Sequence, residues 1–111
     1  MAEQLSYETE REGAGGAIVR IQGDLDMGGV LRLEQEITRL IDNDRVPALT
    51  LDLSDVTFID STGLGLVINT EQSARDRGVE LRLVPGPREV HKVFEMVGLA
   101  DVLPFTEKRA A

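Results

Sequence analysis

The apolar residues of this chain switch repeatedly between a two-residue and a helical period, and the order of the switches limits which folds it can adopt. Leu5, Tyr7 and Thr9 alternate with Ser6, Glu8 and Glu10, as in a half-buried strand. Gly13-Ala14-Gly15-Gly16 can turn the chain tightly. The β-branched run Ala17-Ile18-Val19-Arg20-Ile21 then predicts the return strand of an antiparallel hairpin, ended by Gly23-Asp24-Leu25-Asp26. From Met27 the period becomes helical, with Val30, Leu33, Ile37, Leu40 and Ile41 on one face and Asn43 and Pro47 where a helix stops. Residues 48–53 predict a short buried strand, and the apolar run 56–59 resumes after a break at Ser54-Asp55.

The second half repeats the alternation. A helix is expected over residues 63–77, with Leu64, Val67, Ile68 and Ala74 facing inward and Gly78 as a left-handed cap. Residues 79–84 read as another strand. A third helix starts near Pro87, with Val90, Val93, Phe94 and Val97 at i, i+3, i+4, i+7 and Gly98 closing it. A short edge strand is expected at residues 103–105 and a frayed tail at 107–111. The order β-β-α-β-α-β-α predicts a small α/β domain with a mixed sheet. An N-terminal antiparallel hairpin is followed by β-α units paired in parallel through right-handed crossovers. The 111 residues suit one domain, 1–111, with a core over about 5–106.

Charge and composition narrow the function. A net charge of −8 argues against a phosphate backbone as partner; Arg75, Arg77 and Arg82 form the best basic stripe, and Asp76 and Glu80 interrupt it. With one tyrosine, three phenylalanines and no tryptophan, a base-stacking platform is poorly supplied, so no nucleic-acid partner is expected. No apolar run reaches the ~20 residues of a membrane helix, and the start of the chain is neither basic nor apolar, so neither a membrane span nor a signal peptide is expected. The absence of cysteine excludes disulfides and thiolate metal sites and fits a cytoplasmic location.

The informative segment is Val56-Thr57-Phe58-Ile59-Asp60-Ser61-Thr62-Gly63-Leu64-Gly65-Leu66. An apolar strand end runs into three residues that can each cap a helix, because their side-chain oxygens accept from first-turn N–H groups. Gly63 and Gly65 each cost about 1 kcal/mol in a helix relative to alanine, so helix propensity does not select them. They are expected to thin the surface around Ser61 and leave its hydroxyl reachable. An ordinary cap with small residues for tight packing accounts for the same residues.

This segment resembles the phosphorylation loop of the anti-sigma factor antagonists, the bacterial branch of the STAS domain family. Asp60-Ser61-Thr62-Gly63-Leu64 matches the family's Asp-Ser-Ser/Thr-Gly turn, and Gly23-Asp24-Leu25-Asp26 resembles its Gly-Glu-Leu-Asp turn, with Asp24 in place of Glu. Val93-Phe94-Glu95-Met96-Val97-Gly98-Leu99 resembles its last-helix signature, and the matches span roughly residues 5–105. Gly28-Gly29 departs from the pattern where a helix-forming or capping residue is expected, which leaves the start of the first helix open. The resemblance implies a non-catalytic switch with Ser61 as phosphate acceptor and Thr62 as second choice. Asp24, Asp26, Asp60, Ser61, Thr62, Gly63 and Leu64 are then expected at the partner-binding surface. The implied partners are an anti-sigma factor with serine kinase activity, which brings its own ATP, and a serine phosphatase. No cofactor belongs to the chain itself. A scaffold subunit of a larger stress-sensing assembly is the alternative that the same resemblance allows.

Other chemistries fit less well. Ile59 occupies the first glycine of a Gly-x-Ser-x-Gly nucleophile elbow, and Asp60-Ser61-Thr62-Gly63 is one residue too long for an aspartic protease turn. No phosphate-binding Gly-x-x-x-x-Gly-Lys-Ser/Thr loop occurs. His91, the only histidine, is expected to point outward from the third helix. Asp24, Asp26, Asp52, Asp55 and Asp60 could gather on a divalent cation at the strand ends, but turn and cap roles explain them more simply.

Overall fold

The computed structural model describes residues 4–106. The strands are β1 (Ser6–Arg11), β2 (Ala17–Leu25), β3 (Ala48–Ile59) and β4 (Glu80–Val84), and the helices α1 (Val30–Thr38), α2 (Ser61–Arg77) and α3 (Arg88–Met96). A π turn over Arg39–Asn43 extends α1, with the Asp44 N–H donating back to the Arg39 carbonyl at 2.9 Å. The sheet order is β1-β2-β3-β4. β1 is antiparallel to β2, and β2, β3 and β4 are mutually parallel, as the alternation of periods predicts. The expected tail at 107–111 lies outside the described residues.

One face of the sheet carries the core. Leu49, Leu51 and Leu53 of β3 are fully buried beside Ala17, Val19 and Ile21 of β2, while Thr50, Asp52 and Ser54 between them face the more open side. Val30, Leu33 and Ile37 of α1, with Leu66, Val67 and Ala74 of α2, complete the same cluster. Fully burying a leucine-sized side chain contributes roughly 1.5–3 kcal/mol, so this face dominates the stability.

Several elements differ from the sequence expectation, each for a local reason. β2 does not end at Gly23; it continues to Leu25, paired with the far half of β3. The Ser54-Asp55 break is a bulge inside a single twelve-residue strand. Arg20 pairs with Asp52 and Gln22 with Asp55, and a second extra residue lies between Val56 and Phe58. Asp52 Oδ1 stabilises the first bulge by accepting from the Ser54 N–H at 2.9 Å and its hydroxyl at 2.7 Å.

The inner face of α2 is Gly63, Leu66, Val67, Thr70 and Ala74; Ile68, expected inside, is exposed, and Leu64 is half-buried. The helix takes its rotational phase from Gly63, which must face the sheet for reasons given below. Val97 is exposed because α3 ends at Met96. His91 is not directed outward. It meets Phe105 edge-on at 4.7 Å, and its Nδ1 is buried without a hydrogen-bond partner among the described residues.

The expected strand at 103–105 is a single parallel bridge between Leu83 and Phe105. The Leu83 N–H donates to the Pro104 carbonyl at 3.0 Å and Thr106 N–H to the Leu83 carbonyl at 2.8 Å. Pro104 has no N–H with which to lengthen the ladder. Among the described residues no helix is long and apolar enough to cross a membrane.

Candidate functional site

The carboxyl ends of β2 and β3 and the first turn of α2 meet at one point, the usual position of sites in open parallel sheets. β3 ends at Ile59, and Asp60 caps α2 from an extended conformation, φ −119° and ψ −169°. Its Oδ1 accepts from the Thr62 N–H at 2.9 Å and the Gly63 N–H at 3.1 Å, and its carbonyl accepts from Leu64 N–H at 2.9 Å. Asp60 therefore does the capping that the sequence allowed to any of three residues. Ser61 is the first helical residue, is exposed, and takes no part in the cap. Thr62 beside it is half-buried.

Gly63 and Gly65, expected to act alike, do different things. Gly63 is buried, and a Cβ there would overlap the Leu25 carbonyl oxygen and lie 2.8 Å from Ile59 Cγ1. It lets the helix backbone approach the end of β2, and it does not thin the surface near Ser61. Gly65 faces open space, and a Cβ added to it would meet nothing within 4 Å.

The aspartates also separate by role. Asp24 is 9% exposed and its Oδ1 accepts from the Thr57 hydroxyl at 2.8 Å, so with Gly63 it belongs to the frame behind the surface and not to the surface itself. Asp26 is half-buried, and its Oδ1 accepts from the Gly28 N–H at 3.0 Å, bracing the turn into α1 without capping the helix. Asp60, Ser61 and Thr62 remain together at the start of α2, followed by a half-buried Leu64. Asp52 is drawn off to its bulge, and among the described residues no three acidic or histidine side chains gather as a cation site.

The Gly28-Gly29 departure has a packing cause. Gly29 is the N-cap of α1, and a Cβ on it would lie 2.5 Å from Leu5 Cβ and 2.6 Å from Leu5 Cδ2. The N-terminal segment occupies the space where a capping side chain would stand, and α1, whose start the sequence left open, begins at Val30. Two exposed apolar residues near the site were missed from sequence. Met27 is 77% exposed and Phe58 50%. Phe58 reads as core in an apolar run, and only the second bulge of β3 turns it outward.

Residues 8–111 match the family described as the STAS domain. The chain belongs to the STAS domain family. This STAS chain is 30% identical over 89 residues to the anti-sigma-B factor antagonist of Staphylococcus aureus (strain NCTC 8325 / PS 47), covering 80% of this chain and 82% of that one. Its fold is similar to the crystal structure of an anti-sigma factor antagonist from Mycobacterium paratuberculosis, with a TM-score of 0.78, 25% identity, and 95% and 87% of the two chains covered. It also shares its fold with SpoIIAA, an anti-sigma factor antagonist, in its unphosphorylated form (TM-score 0.78, 22% identity, 92% and 89% covered). The likeness extends to the Bacillus protein SpoIIAA in the phosphorylated form (TM-score 0.72, 22% identity, 92% of each chain covered). The STAS fold thus places an exposed serine, a capping aspartate and a glycine-mediated contact with β2 within four residues of one another.

Proposed function

We propose that this STAS chain is an anti-sigma factor antagonist whose binding surface is switched off by phosphorylation of Ser61. The observation that carries the reading is the division of labour between Asp60 and Ser61. Asp60 satisfies the helix N-terminus, and the neighbouring hydroxyl is exposed and spared. The named antagonists among its relatives and structural neighbours support the partner class.

In this account the unphosphorylated chain binds an anti-sigma factor with serine kinase activity and releases the sigma factor. The kinase supplies ATP. Ser61 Oγ forms a bond to the γ-phosphorus, the bond to ADP breaks, and the hydroxyl proton passes to a base on the kinase. A serine phosphatase reverses the modification by adding water across the O–P bond and releasing inorganic phosphate. Ser61 is a substrate residue throughout and the chain catalyses neither step.

The switch is electrostatic. Phosphoserine carries about −1.5 to −2 charges at neutral pH. A helix N-terminus would ordinarily attract it, but the Thr62 and Gly63 N–H groups are already taken by Asp60. The added charge therefore stands beside a carboxylate with little left to compensate it. An unmatched charge buried in an interface costs about 2–5 kcal/mol. At about 1.4 kcal/mol per decade that weakens binding by roughly 30-fold to several thousand-fold.

Titration of the anti-sigma partner against four forms of the chain tests the reading. Ser61→Ala binds within a few-fold of the native chain, while Ser61→Glu and the phosphorylated protein bind at least tenfold more weakly. Equal affinity for all of them would overturn it.

A further inference from the structure

Residues 61–70 contain no charged side chain, although Ile68 and Asn69 on this stretch of α2 are exposed. Because β2, β3 and β4 are parallel, α1 and α2 both return against the strands and lie side by side in the same direction. A groove of about 500 Å³ opens between them, with Ile37, Ile41 and Leu66 along its floor and Leu31, 65% exposed, on its wall. It closes at the π turn, a wide turn of a kind that recurs at functional sites. The rim carries Glu34 and Asp42. Arg39, the cation that lines it, is held by Glu36 at 2.8 Å and Asp44 at 2.7 Å, and Asp42 meets Arg77 at 3.5 Å.

We propose that this groove docks a basic amphipathic helix of a partner protein. A channel between two helices with an apolar floor accepts the apolar stripe of a third, whose anchors recur at i, i+3, i+4 and i+7. Loss of charge in the middle of a surface with polar groups around it is the composition of an interface core. Glu34, the rim carboxylate that meets no arginine or lysine among the described residues, and the net charge of −8 select lysine and arginine as the flanking residues of the incoming helix. Leu66 stands five residues beyond Ser61, about 7.5 Å along the helix, so the groove opens next to the proposed switch without including it. Docking here goes beyond the Ser61 reading and does not depend on the phosphate.

The test uses the full chain and a synthetic peptide of about 18 residues, five helical turns, with leucines on one face and lysines on the other. A scrambled peptide of the same composition is the control. In an amide-shift titration the patterned peptide moves Leu31, Thr38, Asn43, Asn69 and Ser73, and the scrambled one does not. Leu31→Ser and Asn69→Arg each weaken binding about tenfold while melting within a few degrees of the native chain, both positions being exposed. Ser61→Ala binds the peptide as the native chain does. Equal binding of both peptides, shifts confined to the open sheet face around Glu8 and Glu10, or unchanged affinity in both groove variants would overturn the proposal. None of those results bears on whether Ser61 is phosphorylated.

Discussion

Gly63 lies so close to Leu25 that the first turn of α2 packs its backbone directly against the last residue of β2. A Cβ at position 63 would overlap the Leu25 carbonyl oxygen and crowd Ile59, and the Asp60 N–H already points at that carbonyl from 3.5 Å. The geometry of the Ser61 turn is thus set from behind by this close approach to β2 and from within by the Asp60 carboxylate that caps it.

The two glycines of the turn should respond oppositely to alanine. Gly63→Ala forces α2 away from β2 and costs about 1–3 kcal/mol, the range for overpacking a tight core contact. Gly65→Ala meets open space and removes a helix-interior glycine, stabilising by about 1 kcal/mol. Urea unfolding of the two variants measures both signs. Equal destabilisation by the two would show that the close approach at Gly63 is not what distinguishes them.

Thr57→Val keeps the shape of residue 57 and removes the hydroxyl that donates to Asp24. Leaving a buried carboxylate without that donor costs about 1–3 kcal/mol. The midpoint of chemical unfolding should fall accordingly. Asp24→Asn in the same background should recover part of the loss, because a neutral amide is less costly to bury than a charge. No rescue would mean that the hydroxyl matters for some other contact.

Glu36 gives the stability a pH dependence. It is held below the usual carboxylate range by hydrogen bonds from Arg39, at 2.8 and 3.0 Å, partly opposed by burial and reinforced by the Thr9 hydroxyl at 2.6 Å. A carboxylate with a lowered folded-state pKa contributes stability that is present above its ordinary value and lost as pH falls through the folded one. Glu36→Gln should therefore lower stability at neutral pH and make the decline on acidification shallower. Melting temperatures between pH 7 and 3 check it; parallel curves for the two proteins would contradict it.

The sheet and its order of strands and helices were legible in the periodicities, because burial on one face of each element writes itself directly into sequence; the segment carrying Ser61 stood out only through its resemblance to the antagonists' turn, since an ordinary helix cap has the same residues. Contacts that depend on the absence of a side chain were not. Gly63 reads the same as Gly65, and Gly29 reads as a missing cap until Leu5 is found lying over it. Bulges were equally hidden. Ser54-Asp55 has the composition of a break, and Phe58 that of a core residue, yet both follow from extra residues in β3 that shift its faces. His91 looked like a surface residue by its neighbours in sequence, whereas its surroundings come from Phe105, fourteen positions away.

The central claim is that Ser61, relieved of capping by Asp60, is the residue that takes the phosphate. Incubation of the chain with purified anti-sigma kinase and ATP, followed by mass spectrometry of the peptide spanning residues 55–75, tests it most directly. The account predicts one phosphate, on Ser61, absent from Ser61→Ala. Phosphate on Thr62 with Ser61 unmodified, or the same modification persisting in Ser61→Ala, would contradict it.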